Sequence, residues 1–196
     1  MKLNVNNENY INIYLRGSRL FGTANDKSDY DYIVVVKDFT DYPLTAEDGN
    51  ESYAFVTKSA WERMARKNQI EIFEAVFAPK EFKIKETYIP NFEFNYEYVR
   101  RNFSKQASNS WVKCKKKLTL PNEDKYIGRK SMWHSLRLLM EEAQLLKYGK
   151  ITDFQCANKY YDDIVNTDKT WEELKEKYQP IYNELHSECK KLFDIH

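Results

Sequence analysis

At 196 residues, with net charge +1, 42% hydrophobic and 31% charged residues, the chain has the makeup of a soluble globular protein of one domain or two small ones, and its overall charge is too small to drive polyanion binding. Three widely separated cysteines, Cys114, Cys156 and Cys189, exclude a disulfide framework or a paired-cysteine metal site and point to the reducing cytoplasm. No apolar stretch approaches the ~20 residues of a membrane span and Met1-Lys2-Leu3-Asn4 does not begin a secretory leader, so no membrane partner is expected.

In chain order, residues 10–16 alternate as a strand and Gly17-Ser18 breaks it. Ser18 to Gly22 reads as a short helical turn and Asn25 to Ser28 as a loop. Asp29 to Lys37 is a second, β-branched strand. A polar connection over 38–50 leads to a third strand, Glu51 to Thr57. Ser59, with Glu62 three residues on, suggests the cap of a helix to Lys67. Ile70 to Phe77 fits strand or helix, and Pro79 ends it. After about Pro90 the pattern turns helical. Phe92 to Lys117 has aromatic and polar periodicity, and Lys125 to Tyr148 carries the stripe Met132, Leu136, Leu139, Ala143, Leu146, with Gly149 as its C-cap. Thr170-Trp171-Glu172-Glu173 is a capping box opening a last helix that contains Pro180. The fold expected is α+β, an N-terminal mixed-sheet domain over 1–91 followed by a helical domain over 92–196.

The chemistry concentrates at Gly17-Ser18 and Asp29-Tyr30-Asp31, with ten residues between Ser18 and Asp29. Alternate strand residues share a face, so Asp29 and Asp31 point together, with Tyr30 and Tyr32 opposite. Two such carboxylates suit Mg²⁺, which takes one or two carboxylates plus phosphate oxygens. Gly17 permits close backbone approach to a phosphate, Ser18 supplies a hydroxyl, and Arg16 and Arg19 supply positive charge.

Together, Leu15-Gly17-Ser18 and Asp29-Tyr30-Asp31 resemble the signature of the DNA polymerase beta-like nucleotidyltransferase superfamily. The fuller string from Gly17 to Ala24, then Ser28-Asp-Tyr-Asp31, is similar to a bacterial and phage branch of predicted nucleotidyltransferases, except that Arg16 directly precedes the glycine. Weaker likeness extends through Asn68 to Pro79 and Lys130 to Lys150. The resemblance implies transfer of a nucleoside monophosphate from an NTP, requiring Mg²⁺ (or Mn²⁺) and releasing pyrophosphate. It implies that Gly17, Ser18 and Arg19 hold the nucleotide phosphates and that Asp29 and Asp31 are metal-binding catalytic residues. The family also needs a third carboxylate. Glu51 is the first choice as a metal-binding catalytic residue, with Asp48, Glu71 and Glu74 as alternatives. Without a third acid, an inactive relative that binds a nucleotide or a partner, as an antitoxin does, becomes the reading.

His134 and Arg137, at i and i+3, are expected to meet the nucleotide from the helical half, against the simpler reading that Arg137 pairs with Glu141. Residues 98–130 hold ten Lys or Arg and two acids, a basic middle that suits a phosphate-rich substrate, with RNA among the acceptors considered, or a solvated helix face.

Overall fold

In the computed structural model, described for residues 4–37 and 44–196, the chain divides into two compact units, Met1–Phe94 and Asn95–His196. It is mixed α+β, with a five-stranded mixed sheet in the first unit and a largely helical second unit. The unit boundary falls three residues beyond the expected one.

The first unit runs β1 (Tyr10–Arg16), α1 (Gly17–Leu20), β2 (Tyr30–Val36), β3 (Thr45–Asp48), β4 (Glu51–Thr57), α2 (Lys58–Arg66), α3 (Ile70–Val76) and β5 (Lys83–Glu86). The sheet order is β3-β4-β2-β1-β5. β1 is antiparallel to β2 and β5, β4 is parallel to β2, and β3 is antiparallel to β4. Strand alternation divides the core. Ile33 and Val35 pack with Tyr14, Trp61, Ala65 and Ile72 on the face carrying α2 and α3. Val34 and Val36 join Ile13, Tyr53 and Phe55 on the other face.

The structure decides one open reading, changes two and adds a strand. Ile70–Val76, which fits strand or helix, is a helix, and Ile72, Phe73, Glu74 and Ala75 are all buried in it. The cap of α2 is Thr57, which accepts from the Ala60 N–H at 3.1 Å, and not Ser59. Part of the polar connection, Thr45–Asp48, is a strand, while 38–43 lies outside the described residues. β5 was not anticipated at all.

The second unit comprises α4 (Tyr96–Thr119), α5 (Lys125–Tyr148), α6 (Tyr161–Val165) and α7 (Trp171–Phe193). Asn95 and Asp124 cap α4 and α5 through side-chain acceptors at 2.9 Å. Gly149 ends α5 at φ +68°, and Thr170 with Glu173 closes the capping box of α7, which runs on through Pro180. Of the apolar stripe of α5, Met132, Leu136, Leu139 and Leu146 are buried and Ala143 half-buried, but Trp133, Arg137, Leu138, Glu141 and Leu145 are buried as well, because neighbours surround this helix. Ser135 donates to the Ala107 carbonyl on α4 at 2.7 Å, and the Cys189 thiol on α7 lies 3.3 Å from the Leu139 carbonyl. No helix among the described residues is long and apolar enough to cross a membrane.

Candidate phosphate and metal site

β1 ends at Arg16 and the chain turns at once into α1. Gly17 makes that turn at φ +68°, a conformation that costs an L-residue about 1–2 kcal/mol. A Cβ built on Gly17 would lie 2.3 Å from Oδ2 of Asp31, so the Asp31 carboxylate rests directly against the glycine backbone. The cause is register: Arg16 pairs with Asp31 across β1 and β2, which sets the next residue, Gly17, over the same strand end. Asp29 precedes β2 and is exposed, whereas Asp31 is half-buried within it.

The third acid is where the structure departs most from expectation. Asp31 pairs with Ser52 in the parallel β2–β4 ladder, and Ser52 donates to Oδ1 of Asp31 at 2.6 Å. Glu51 pairs with Tyr30, one residue away, and therefore points to the opposite face. There it accepts from the Tyr53 hydroxyl. Burial, with the Glu51 carboxylate beside it, raises the Tyr32 hydroxyl above its ordinary pKa. Asp48 pairs with Glu51 on β3 and shares that far side. Glu51 and Asp48 are thus not brought together with Asp31.

Glu71 and Glu74 lie on α3, on the helix-covered side. They line a small pocket with Tyr14, Arg16, Leu20 and Ile33. Glu74 is buried, and Arg16 approaches it to 4.0 Å. Arg16, on the face of Asp31, is the cation that reaches this pocket. Arg19 is committed elsewhere: its guanidinium donates to the Ser28 carbonyl at 2.8 Å and stacks 3.4 Å over the Tyr30 ring. It clasps the loop before Asp29. Ser18 is half-buried in α1, and its carbonyl accepts from the Thr23 N–H at 2.9 Å.

His134 and Arg137 sit in the second unit. Arg137 is buried, donates to Glu141 at 2.6 Å and contacts His134 Nδ1 at 2.9 Å. The pairing within α5 fits the simpler reading, since a buried guanidinium needs its carboxylate.

The donors near Gly17 are hard oxygens, suited to Mg²⁺ or Mn²⁺. Among the described residues, no group of three or more His, Cys, Asp or Glu assembles that would hold a metal alone. Asp31 offers its carboxylate at the Gly17 turn, and Asp29 lies exposed two residues before it, outside β2. Sequence reasoning missed Ser52 and the Arg16–Glu74 pair. The parity of β4 against β2 would have found Ser52, but only the register supplies it. No protein-family model matches the chain, and no curated protein matches it.

Proposed function

We propose that the first unit is a divalent-metal-dependent nucleotidyltransferase site, transferring a nucleoside monophosphate from an NTP to an acceptor hydroxyl with release of pyrophosphate. One observation supports the reading: the Asp31 carboxylate packs against the backbone of Gly17, which turns at φ +68°. Asp29 and Asp31 would hold the ion, which supplies charge neutralisation at the phosphates and a lowered pKa at the attacking hydroxyl. Gly17 and Ser18 would hold the phosphate chain, and Arg16 would neutralise charge on the Asp31 side. Three cysteines free of disulfides suit a cytoplasmic protein. The test is transfer from labelled NTPs with Mg²⁺ or Mn²⁺ across a panel of acceptors. Activity that vanishes in Asp29→Asn/Asp31→Asn supports the reading; no transfer and no metal-dependent NTP binding rejects it.

Ser52 favours a second reading, a nucleotide- or partner-binding module of the same fold without transfer. The position facing Asp31 carries a hydroxyl where a further acid would complete two-metal chemistry. Calorimetry separates the two, because nucleotide bound equally with and without Mg²⁺ selects the module.

A further inference from the structure

Nine of the ten cations in the basic middle of the sequence sort into two groups, and the tenth, Lys130, is half-buried on α5. Arg100 pairs with Glu142 at 2.8 Å, and Lys117 pairs with Glu123 at 2.5 Å. Lys125 donates to the Leu120 carbonyl at 2.7 Å and so caps the C-terminal end of α4, while Arg129 donates to the Val165 carbonyl at 3.3 Å. These cations hold the helical unit together. Lys105, Lys113, Lys115 and Lys116 are instead exposed along α4, as is Arg101, whose guanidinium lies 4.7 Å over the Tyr98 ring.

Their placement is directional. At 3.6 residues per turn Arg101, Lys105 and Lys116 fall in one stripe, flanked by Lys113 and Lys115, over ~22 Å of helix. The opposite side of α4, through Val99, Phe103, Ala107 and Cys114, is buried in the bundle. Glu97, in the first turn, is the one acid on the helix. An exposed helix gains stability from carboxylates placed i±4 to its cations; Glu97 is so placed for Arg101, whereas Arg101 and Lys105 put like charges at that spacing. The helix dipole compensates only cations in the last turn. The exposed amides Gln106 and Asn109 and the exposed Val112 lie between the cations of this face, while the Ser108 hydroxyl meets Tyr182 on α7 at 3.2 Å and Thr119 donates to the Lys115 carbonyl at 2.8 Å. The apolar side is already buried, so α4 has no free apolar face to insert into a lipid surface.

We propose that this outer face of α4 binds the phosphate backbone of single-stranded RNA. The stripe is long enough for several phosphates, and the exposed amides of Gln106 and Asn109 suit sugar hydroxyls. The choice of RNA rests on the nucleotidyl-transfer reading, for which a polynucleotide end is an acceptor; the charge pattern itself does not depend on that reading.

The probe is a fluorescent single-stranded RNA of about 12 nucleotides, titrated with the full chain and followed by anisotropy. With three to five phosphates neutralised, log K should fall against log[salt] with a slope of about −2 to −3.5. Lys105→Glu/Lys113→Glu/Lys116→Glu should weaken binding at least about tenfold. The control Lys150→Glu/Lys175→Glu/Lys190→Glu has the same charge change at exposed sites off this face and should retain affinity within about twofold. Circular-dichroism melts establish that both triples fold. Equal losses in the two triples, absence of salt-dependent binding, or equal affinity for heparin or anionic vesicles would overturn the proposal. Asp29→Asn/Asp31→Asn should bind RNA normally, so RNA binding by a chain that transfers nucleotides to none of the acceptor panel rejects the activity and leaves this surface standing.

Discussion

Ser52 donates its hydroxyl to Oδ1 of Asp31 at 2.6 Å from the position directly across the β2–β4 ladder. A carboxylate there would face Asp31, whereas Glu51 lies one residue off and behind the sheet. Ser52→Asp therefore sets two like charges together, which destabilises the metal-free protein and raises its demand for a cation. The expected outcome is a lower Tm without Mg²⁺, a larger Mg²⁺-induced rise in Tm than wild type, and metal-dependent NTP binding tighter by about tenfold. Glu51→Gln should leave that binding within about twofold of wild type. Loss on Glu51→Gln equal to that on Asp31→Asn would show that the register assignment misplaces the acid.

Gly17 and Gly149 share φ +68° but not surroundings. Gly149 has nothing within 4 Å of an added Cβ, while Gly17 has the Asp31 carboxylate. Gly149→Ala should cost about 1 kcal/mol and leave nucleotide binding alone. Gly17→Ala carries the same backbone cost and also displaces Asp31, so Mg²⁺–NTP affinity should fall by at least about tenfold. Calorimetry on both variants, beside thermal melts, separates the two effects.

Arg16 and Glu74 should be separable by a double-mutant cycle. Arg16→Met leaves the buried Glu74 carboxylate without that cation and should lower Tm as well as NTP affinity. Adding Glu74→Met should recover Tm and not affinity, because the phosphate partner is still missing. Affinity recovered in the double variant would make Arg16 purely structural.

The helical unit should respond to pH through Glu142. This side chain is fully buried, and desolvation raises its pKa from 4.5 to about 7 against the opposing pull of Arg100 and Ser104. A folded-state pKa above the unfolded one means the native state binds more protons between the two values. The Glu142 contribution to stability is therefore full below about pH 4.5 and is lost as pH rises through about 7. Glu142→Gln should flatten this component in melts taken between those pH values, with Arg100 retained.

The parts of the fold that the sequence made legible are those whose own residues carry the signal. β1, β2 and β4 alternate or are β-branched, and α5 and α7 carry apolar spacing and caps. β3 and β5 are Thr-Ala-Glu-Asp and Lys-Ile-Lys-Glu, four-residue edge strands whose charges suit an edge and hide the strand. At the site, the pairing of Gly17 with Asp31 was foreshadowed by the motif. The choice between Glu51 and Ser52 was not, since one residue of register decides it and register is a property of two strands together. Arg137 fell within reach of sequence reasoning through Glu141 at i+4, but its burial depends on how the bundle surrounds α5.

Arg19 gives the spacing of the motif a physical meaning. By holding the Ser28 carbonyl and lying on Tyr30, it closes residues 19–30 into a ring without a covalent bond. The ten residues between Ser18 and Asp29 then act as a ruler, fixing how far the acids stand from the turn. Residues Ala24 to Lys27 are the exposed tip of that ring, where an insertion would lengthen only the arc. An insertion between Asp29 and Asp31 would instead change the spacing of the two acids while Asp31 stays paired with Arg16 and Ser52. Natural length variation in this loop is thus expected at the tip, and the clasp lets the surface change while the two acids keep their place.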